Sequence, residues 1–400
     1  MKSKRSWFKR FKGWLLSFII IDLITLFTRL VESLFKKDKN LITIFFTEFN
    51  FADNSRYFLE YLNLNTNHNY NVKVLVKNKP LFDEISLQYP DITYYSKSLS
   101  GFNLFFKTKN MVISHGSDAS YFFPYFLDVK SKNIINLWHG IPLKRLSLQV
   151  KGIRESKSRN RFQKFSSICA ASTFEQILLA SCFDMHIDDV WVTGTPRNDY
   201  LIYPNNDLVQ KYTHLNEKVI LYAPTHRDAI HGGETGFLPI LHPDFSEEEI
   251  HNFLEKMKSR LIIRPHPISS TGKCTSDRIE YITVDQVPDI AELFRTSDIL
   301  VTDYSSTYFD WLILDKPIIF SIYDFQEYGE EIGFIEEFED IAAGQIALTK
   351  GELLESLEKS IKKSDYDVDK RMKVREMIGM ARGDSCRRIS KSIISRIELK

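Results

Sequence analysis

Six stretches of this chain bring imidazole, guanidinium or hydroxyl groups directly behind short apolar runs. Ile134–Trp138 runs into His139-Gly140-Ile141-Pro142-Leu143-Lys144-Arg145. A neutral imidazole leaving a strand end can accept a hydroxyl proton near pH 7, and Gly140 permits the tight turn after it. Leu261–Ile263 runs into Arg264-Pro265-His266-Pro267. The prolines stiffen that turn and remove backbone donors, so Arg264 and His266 become two donors suited to a phosphate. Ile299–Thr302 runs into Asp303-Tyr304-Ser305-Ser306 ahead of a helical stretch. Ser305 and Ser306 stand where a helix N-cap belongs, and free N–H groups there favour an anion. Val219–Ala223 leads to Pro224-Thr225-His226-Arg227, and Val190–Thr193 leads to Gly194-Thr195-Pro196-Arg197-Asn198-Asp199. Met111–Ser114 is followed by His115 and Gly116.

Each stretch alone has a bland reading: a histidine hydrogen-bonded in a turn, an exposed arginine, an ordinary serine cap. Their convergence on strand ends is what points to an anionic, diphosphate-bearing ligand. Metal and cofactor signatures are missing. The ten histidines include no H-E-x-x-H, and no Cys/His quartet is present. No metal site and no cofactor are therefore expected, although a divalent cation at Asp303 stays open. Neither G-x-G-x-x-G nor a P-loop occurs. Cys169, Cys182, Cys274 and Cys386 form no C-x-x-C pair, which fits neutral thiols in a reducing compartment.

The elements that must position these groups follow from the alternation of apolar runs with amphipathic stretches. Leu41–Phe46 and Val72–Val76 join the strands of the first series named above, with helical periodicity at Ser55–Asn65 and Thr173–Cys182. A second series starts near Lys218 and includes Ile318–Ser321, with helical intervals at Glu247–Lys258, Asp289–Thr296 and Ser306–Leu314. Tyr203–Asn216 is polar and reads as the linker, and Gly351–Lys363 and Asp384–Ile397 read as closing helices. This pattern predicts an α/β protein with two doubly wound, Rossmann-type domains facing a cleft. The expected boundaries are an N-terminal segment 1–40, an acceptor-side domain 41–205, and a donor domain 206–400 that includes the closing C-terminal helix. Ligands in such sheets bind beyond the carboxyl ends of the strands, where the motifs lie.

The net charge of +1 conceals an asymmetry: residues 1–40 contain ten Lys/Arg and three Asp/Glu, and the rest of the chain is mildly acidic. An acidic body argues against nucleic-acid binding, which needs basic surface to replace counterions. The basic residues before position 13 alternate with Trp7, Phe8 and Phe11, and Leu15–Phe27 is apolar apart from Asp22. Thirteen residues with an internal acid are too few for a spanning helix, which needs about 20. A basic amphipathic helix lying on an anionic membrane surface is expected instead.

Taken together, W-H-G-I-P-L-K (138–144), L-Y-A-P-T-H-R-D (221–228), R-P-H-P (264–267) and S-D-I-L-V-T-D-Y-S-S-T-Y-F-D (297–310) resemble the CDP-glycerol glycerophosphotransferases of teichoic acid and capsule synthesis. P-I-I-F-S-I-Y-D-F-Q-E-Y (317–328) and G-D-S-C-R-R-I (383–389) extend the likeness to about residues 110–395. The resemblance implies a GT-B-like pair of Rossmann domains at the cytoplasmic face of the cell membrane. It implies transfer of a polyol phosphate from CDP-glycerol or CDP-ribitol to a lipid-linked or polymeric acceptor, releasing CMP. By the same resemblance His139 is the general base, and Arg227, Arg264, His266, Thr302, Asp303, Ser305 and Ser306 hold the donor. His115, Gly140, Lys144, Arg197, Asp199 and Asp310 are expected to support the site or its acceptor side. The chain departs from the family pattern at Ala343-Gly344-Gln345 and at His226, which leaves glycerol against ribitol open. A nucleotide-sugar glycosyltransferase on the same scaffold, and a non-enzymatic export factor, are the alternatives.

Overall fold

The computed structural model describes residues 26–27, 29–47, 50–65, 70–115, 131–149, 165–203, 217–225, 241–265, 274–326, 334–380 and 383–398. Within them the apolar runs pair into two wholly parallel sheets. The first contains β1 (Asp38–Phe46), β2 (Asn71–Val76), β3 (Thr93–Tyr95), β4 (Thr108–Ile113), β5 (Asn133–Asn136), β6 (Ser167–Ala170) and β7 (Val190–Val192), in the order β3-β2-β1-β4-β5-β6-β7. The second contains β8 (Lys218–Tyr222), β9 (Ser259–Ile263), β10 (Ile279–Tyr281), β11 (Ile299–Thr302), β12 (Ile318–Ser321) and β13 (Gln345–Ala347), in the order β10-β9-β8-β11-β12-β13. Central strands are buried on both faces, as Ile44, Phe45, Leu300 and Val301 show. That burial is why they read in sequence as unbroken apolar runs rather than as alternation.

In each sheet the strand order reverses once, between β1 and β4 in the first and between β8 and β11 in the second. These reversals open the crevices in which doubly wound sheets hold ligands. The two crevices face one another across a shared cleft.

Three features differ from the sequence expectations. Edge strands β3, β10 and β13 have three residues each and no continuous apolar run, so their pattern is too weak to read. The helix expected over Ser306–Leu314 is α-helical only at Tyr308–Trp311 and tightens to a 3-10 turn at Leu312–Leu314. Asp315 then ends it in a left-handed conformation (φ 54°). The last helix, Ser385–Glu398, does not close the second sheet. Its Ile389 and Ile393 pack with Ile42, Ile44 and Phe58 of the first half, and Asp199 caps its start by accepting the N–H groups of Ser385 and Cys386 at 2.9 and 2.8 Å. An amphipathic helix follows its apolar face, whichever sheet precedes it in the chain.

The halves are joined near the cleft by Arg56 to Glu292 (2.6 Å) and by the Asp53 N–H to Asp289 Oδ2 (2.8 Å). Lys144 pairs through its backbone with Phe334. At the other end, helical turns over 29–33 are pinned by Glu32, whose carboxylate lies 2.8 Å from Lys132 Nζ. Lys132 is fully buried and also donates to the Phe105 carbonyl at 2.7 Å. Among the described residues no helix is long and apolar enough to cross a membrane.

Candidate active site

The cleft between the reversals measures about 1390 Å³. Pockets for one small ligand run to about 300–1,000 Å³, so two substrates can be held together. Its walls come from strand ends of both sheets. Asp53, His115 and Arg197 stand on the first wall, and Arg264, Asp289 and Ser305 on the second.

His139 follows β5 between two unusual backbone conformations, Trp138 at φ 60° and Gly140 at φ 137°. A tryptophan in the left-handed region is strained, and such strain persists only where surrounding contacts enforce it. Asn54 supplies them. Its amide donates to the Trp138 carbonyl at 2.7 Å and accepts the Arg197 N–H at 2.9 Å, tying three strand-end loops together. The His139 ring then stacks nearly parallel on His115, with centroids 5.3 Å apart. Loss of bulk hydration, then the nearby His115 and Arg197, pull its pKa down to about 3. A hydrogen bond with the Ser114 backbone opposes this only in part. His139 is therefore a neutral imidazole at physiological pH, the form a proton acceptor requires.

Arg197 is the hub beneath the histidines. Its guanidinium reaches Asp53 Oδ1 at 2.9 Å, Asp310 Oδ2 at 2.6 Å and the His139 carbonyl at 3.0 Å. Burial alone would lower its pKa, but Asp310 and Asp53 outweigh that and hold the charge more firmly than usual. Burial raises the Asp53 carboxyl to about 6, against the pull of Arg197 and His115. Asp53 Oδ2 lies 3.9 Å from His115 Nε2, and the residue has φ 62°. Asp53, Asn54 and Asp289 stand in no motif that marks them in the sequence. The available signal was the run Ala52-Asp53-Asn54-Ser55, polar residues at a helix start just after a buried strand.

On the second wall Arg264 lies at the cleft, but its donors are largely occupied. It donates to the carbonyls of Ile282, Thr283 and Pro288 at 3.3, 2.6 and 3.4 Å, fixing the loop that carries Asp289. Burial lowers its pKa to about 10, which leaves it charged at neutral pH. Asp303 accepts from the Thr225 N–H at 2.8 Å and from its hydroxyl at 3.0 Å, and Thr302 donates to the Ala223 carbonyl at 2.7 Å. These two residues shape the loop after β8 from behind. Ser305 lines the cleft and shares a 2.8 Å hydrogen bond with Thr307, while the Ser306 carbonyl accepts from Phe309.

The structure thus gathers His115, His139, Gly140, Arg197, Arg264, Ser305 and Asp310 at or directly beneath one cleft. It places Asp199 at the cap of the last helix and Lys144 at the backbone bridge between the halves. Arg227 and His266 lie outside the described residues. Among the described residues no three His, Cys, Asp or Glu side chains gather as metal ligands.

Residues 26–395 match the family described as CDP-glycerol:poly(glycerophosphate) glycerophosphotransferase. The chain belongs to that family. It is 29% identical over 243 residues to a teichoic acid glycerol-phosphate transferase of Staphylococcus aureus, which covers 56% of this chain and 61% of that protein. It therefore spans about three fifths of that relative's length. A teichoic acid poly(glycerol phosphate) polymerase of Bacillus spizizenii is 24% identical over 401 residues, 94% of this chain and 97% of that one. Among solved structures, the wall teichoic acid polymerase TagF superposes with a TM-score of 0.74 at 23% identity, over 90% of both chains. The fold is thus shared with that structure, two parallel-sheet α/β halves as the strand-helix alternation predicts.

Proposed function

We propose that this protein transfers glycerol phosphate from CDP-glycerol to a hydroxyl of a lipid-linked or polymeric acceptor in teichoic acid or capsule synthesis, releasing CMP. What supports the reading is that His115, on which the His139 ring stacks, lines the same cleft as Arg264 and Ser305, at the switch points of two parallel sheets. In this mechanism the acceptor hydroxyl attacks the glycerol-bearing phosphorus. Its proton passes to His139 as the new O–P bond forms. The bond from that phosphorus to the CMP oxygen breaks, and CMP leaves with the electron pair. Arg264, Arg227, His266 and the Ser305-Ser306 turn offset the phosphate charge. Arg197, pinned by Asp53 and Asp310, holds the His139 carbonyl and keeps the imidazole in place.

The test is CMP release by the purified full chain given CDP-glycerol, CDP-ribitol and a UDP-sugar in parallel with a polyol-phosphate acceptor. Consumption of CDP-glycerol is the expected result. Preferential consumption of CDP-ribitol would change the polyol, and UDP release alone would overturn the reaction class.

The same reading places the protein at the cytoplasmic membrane surface. Supporting it, Leu26, Phe27, Leu30 and Leu34 are more than half exposed on one short segment. Phe35 of that segment meets Phe102 edge-on, and Leu99, one turn before Phe102 on its helix, is 91% exposed. Each apolar side chain moved into lipid is worth about 1.5–3 kcal/mol. Leu30→Asp with Leu34→Asp is expected to reduce sedimentation with anionic lipid vesicles at least tenfold. Unchanged sedimentation would remove this face from membrane contact.

A further inference from the structure

β5 begins and ends with a buried asparagine, and the two serve different contacts. Asn133, at the start, donates to Asn110 Oδ1 at 2.8 Å and so links neighbouring strands at the end of the sheet away from the cleft. Asn136, at the end, is fully buried, with Ile113 and Ile168 as its register neighbours on β4 and β6. A polar side chain buried among strands needs partners, and those of Asn136 are two strand-end loops. Its Oδ1 accepts the Trp138 N–H at 2.8 Å, and its Nδ2 donates to the His115 carbonyl at 3.1 Å. A backbone N–H can only donate and a carbonyl only accept, so a single orientation of the amide satisfies both.

The peptide groups on both sides of the Trp138 Cα are thereby held. Asn136 takes the N–H, and Asn54 donates to the carbonyl at 2.7 Å. Those two rigid planes define φ and ψ of Trp138. They keep it at φ 60°, a conformation a bulky residue rarely adopts unaided. The direction in which the chain leaves for His139 follows from that turn. At its other end the same amide fixes the backbone of His115, whose ring stacks on His139 with an interplanar angle of 8°. One buried side chain thus spans the backbones that carry both imidazoles.

We propose that Asn136 is a positioning residue for the reaction, setting the spacing and stacking of the His115–His139 pair. The inference rests on the transfer reading above and adds to it what aims the base. A misplacement of about 1 Å at a reacting group can cost about 10²-fold in rate, so an amide that fixes two loops at once is felt in turnover.

The experiment uses the full chain with Asn136→Ala, Asn136→Asp and, as a control at the other end of β5, Asn133→Ala. Asn136→Ala is expected to lower kcat by up to about 10²-fold with KM for CDP-glycerol unchanged, because Arg264 and Ser305 stand on the opposite wall. Asn136→Asp supplies a conservative rescue that depends on pH. Protonated, its carboxyl can accept from Trp138 and donate to the His115 carbonyl, as the amide does. Burial and the facing carbonyl oxygen disfavour the ionised form, so it should titrate above the ordinary carboxyl value of about 4. Its kcat, relative to the unaltered protein, should approach one below that pKa and fall toward the Asn136→Ala value as pH rises through it. Asn133→Ala should lower thermal stability without a fall in kcat. NMR of protein labelled at histidine Cε1 gives an arm that needs no turnover. The His139 signal, assigned by its loss in His139→Gln, lies under the ring currents of Trp138, 4.2 Å away, and of His115. It should move in Asn136→Ala and stay in place in Asn133→Ala. A moved signal in a chain that releases no CMP would keep the positioning role and discard the reaction class. An unmoved signal in Asn136→Ala would overturn the proposal, and so would an Asn136→Asp rate that keeps a constant ratio to the unaltered protein at every pH.

Discussion

His139→Ala is expected to lower kcat by about 10²- to 10⁴-fold, the usual contribution of a positioned general base. Donor affinity should be nearly unchanged, because the ring lies beside His115 on the first wall whereas Arg264 and Ser305 face it from the second. The pH profile gives an independent check. The His139 pKa is lowered to about 3, so the neutral, proton-accepting form persists far below the ordinary histidine range. In the free enzyme kcat/KM should therefore show no acid limb near pH 6.5 from this residue. Bound phosphates raise the pKa of a neighbouring imidazole, so an acid limb in kcat should lie at higher pH than any in kcat/KM. Thermal-shift titration with CDP-glycerol measures the binding side, since ligand that binds only the native state stabilises it in proportion to RT ln(1 + [L]/Kd). Equal loss of turnover and donor affinity would take His139 out of the base role.

Arg197→Ala should be the most destabilising single change in the site, costing about 3–5 kcal/mol. The side chain is 8% exposed and its removal strands two carboxylates, Asp53 and Asp310, one from each half. It also releases the His139 carbonyl. Arg197→Lys keeps the charge but not the fork that reaches three acceptors in different directions, so an intermediate loss is expected. By contrast, breaking the Lys218–Asp298 pair, with side chains 45% and 35% exposed, should cost at most about 1 kcal/mol. Urea denaturation of the three variants makes the comparison. Comparable losses from Arg197→Ala and Lys218→Ala would mean that the buried network is no hub.

Much of this arrangement is legible in the chain itself. β1, β4, β5, β8, β9 and β11 are buried on both faces, so they appear as apolar runs, and the motifs follow them directly. A parallel sheet sends all its carboxyl ends one way, and that places His115, Arg197, Arg264 and Ser305 at one cleft. What sequence does not carry is which polar groups are already occupied. Asp303 and Thr302 sit in the motif that reads as an anion site, yet they hydrogen-bond to Thr225 and to the Ala223 carbonyl. Asp199 lies two residues from Arg197 on the same short helix and points to another partner, the start of the last helix. Asp53 was hidden for the opposite reason. Its importance comes from contacts 144 residues away with Arg197 and across the cleft with Asp289.

A crystal structure of the full chain with CDP-glycerol is the most direct test of the shared site. The account requires the diphosphate to lie between the two switch points, with Arg264 and Ser305 on one side and the His115–His139 pair on the other. A nucleotide bound on the outer face of either sheet, away from the histidine pair, would contradict it.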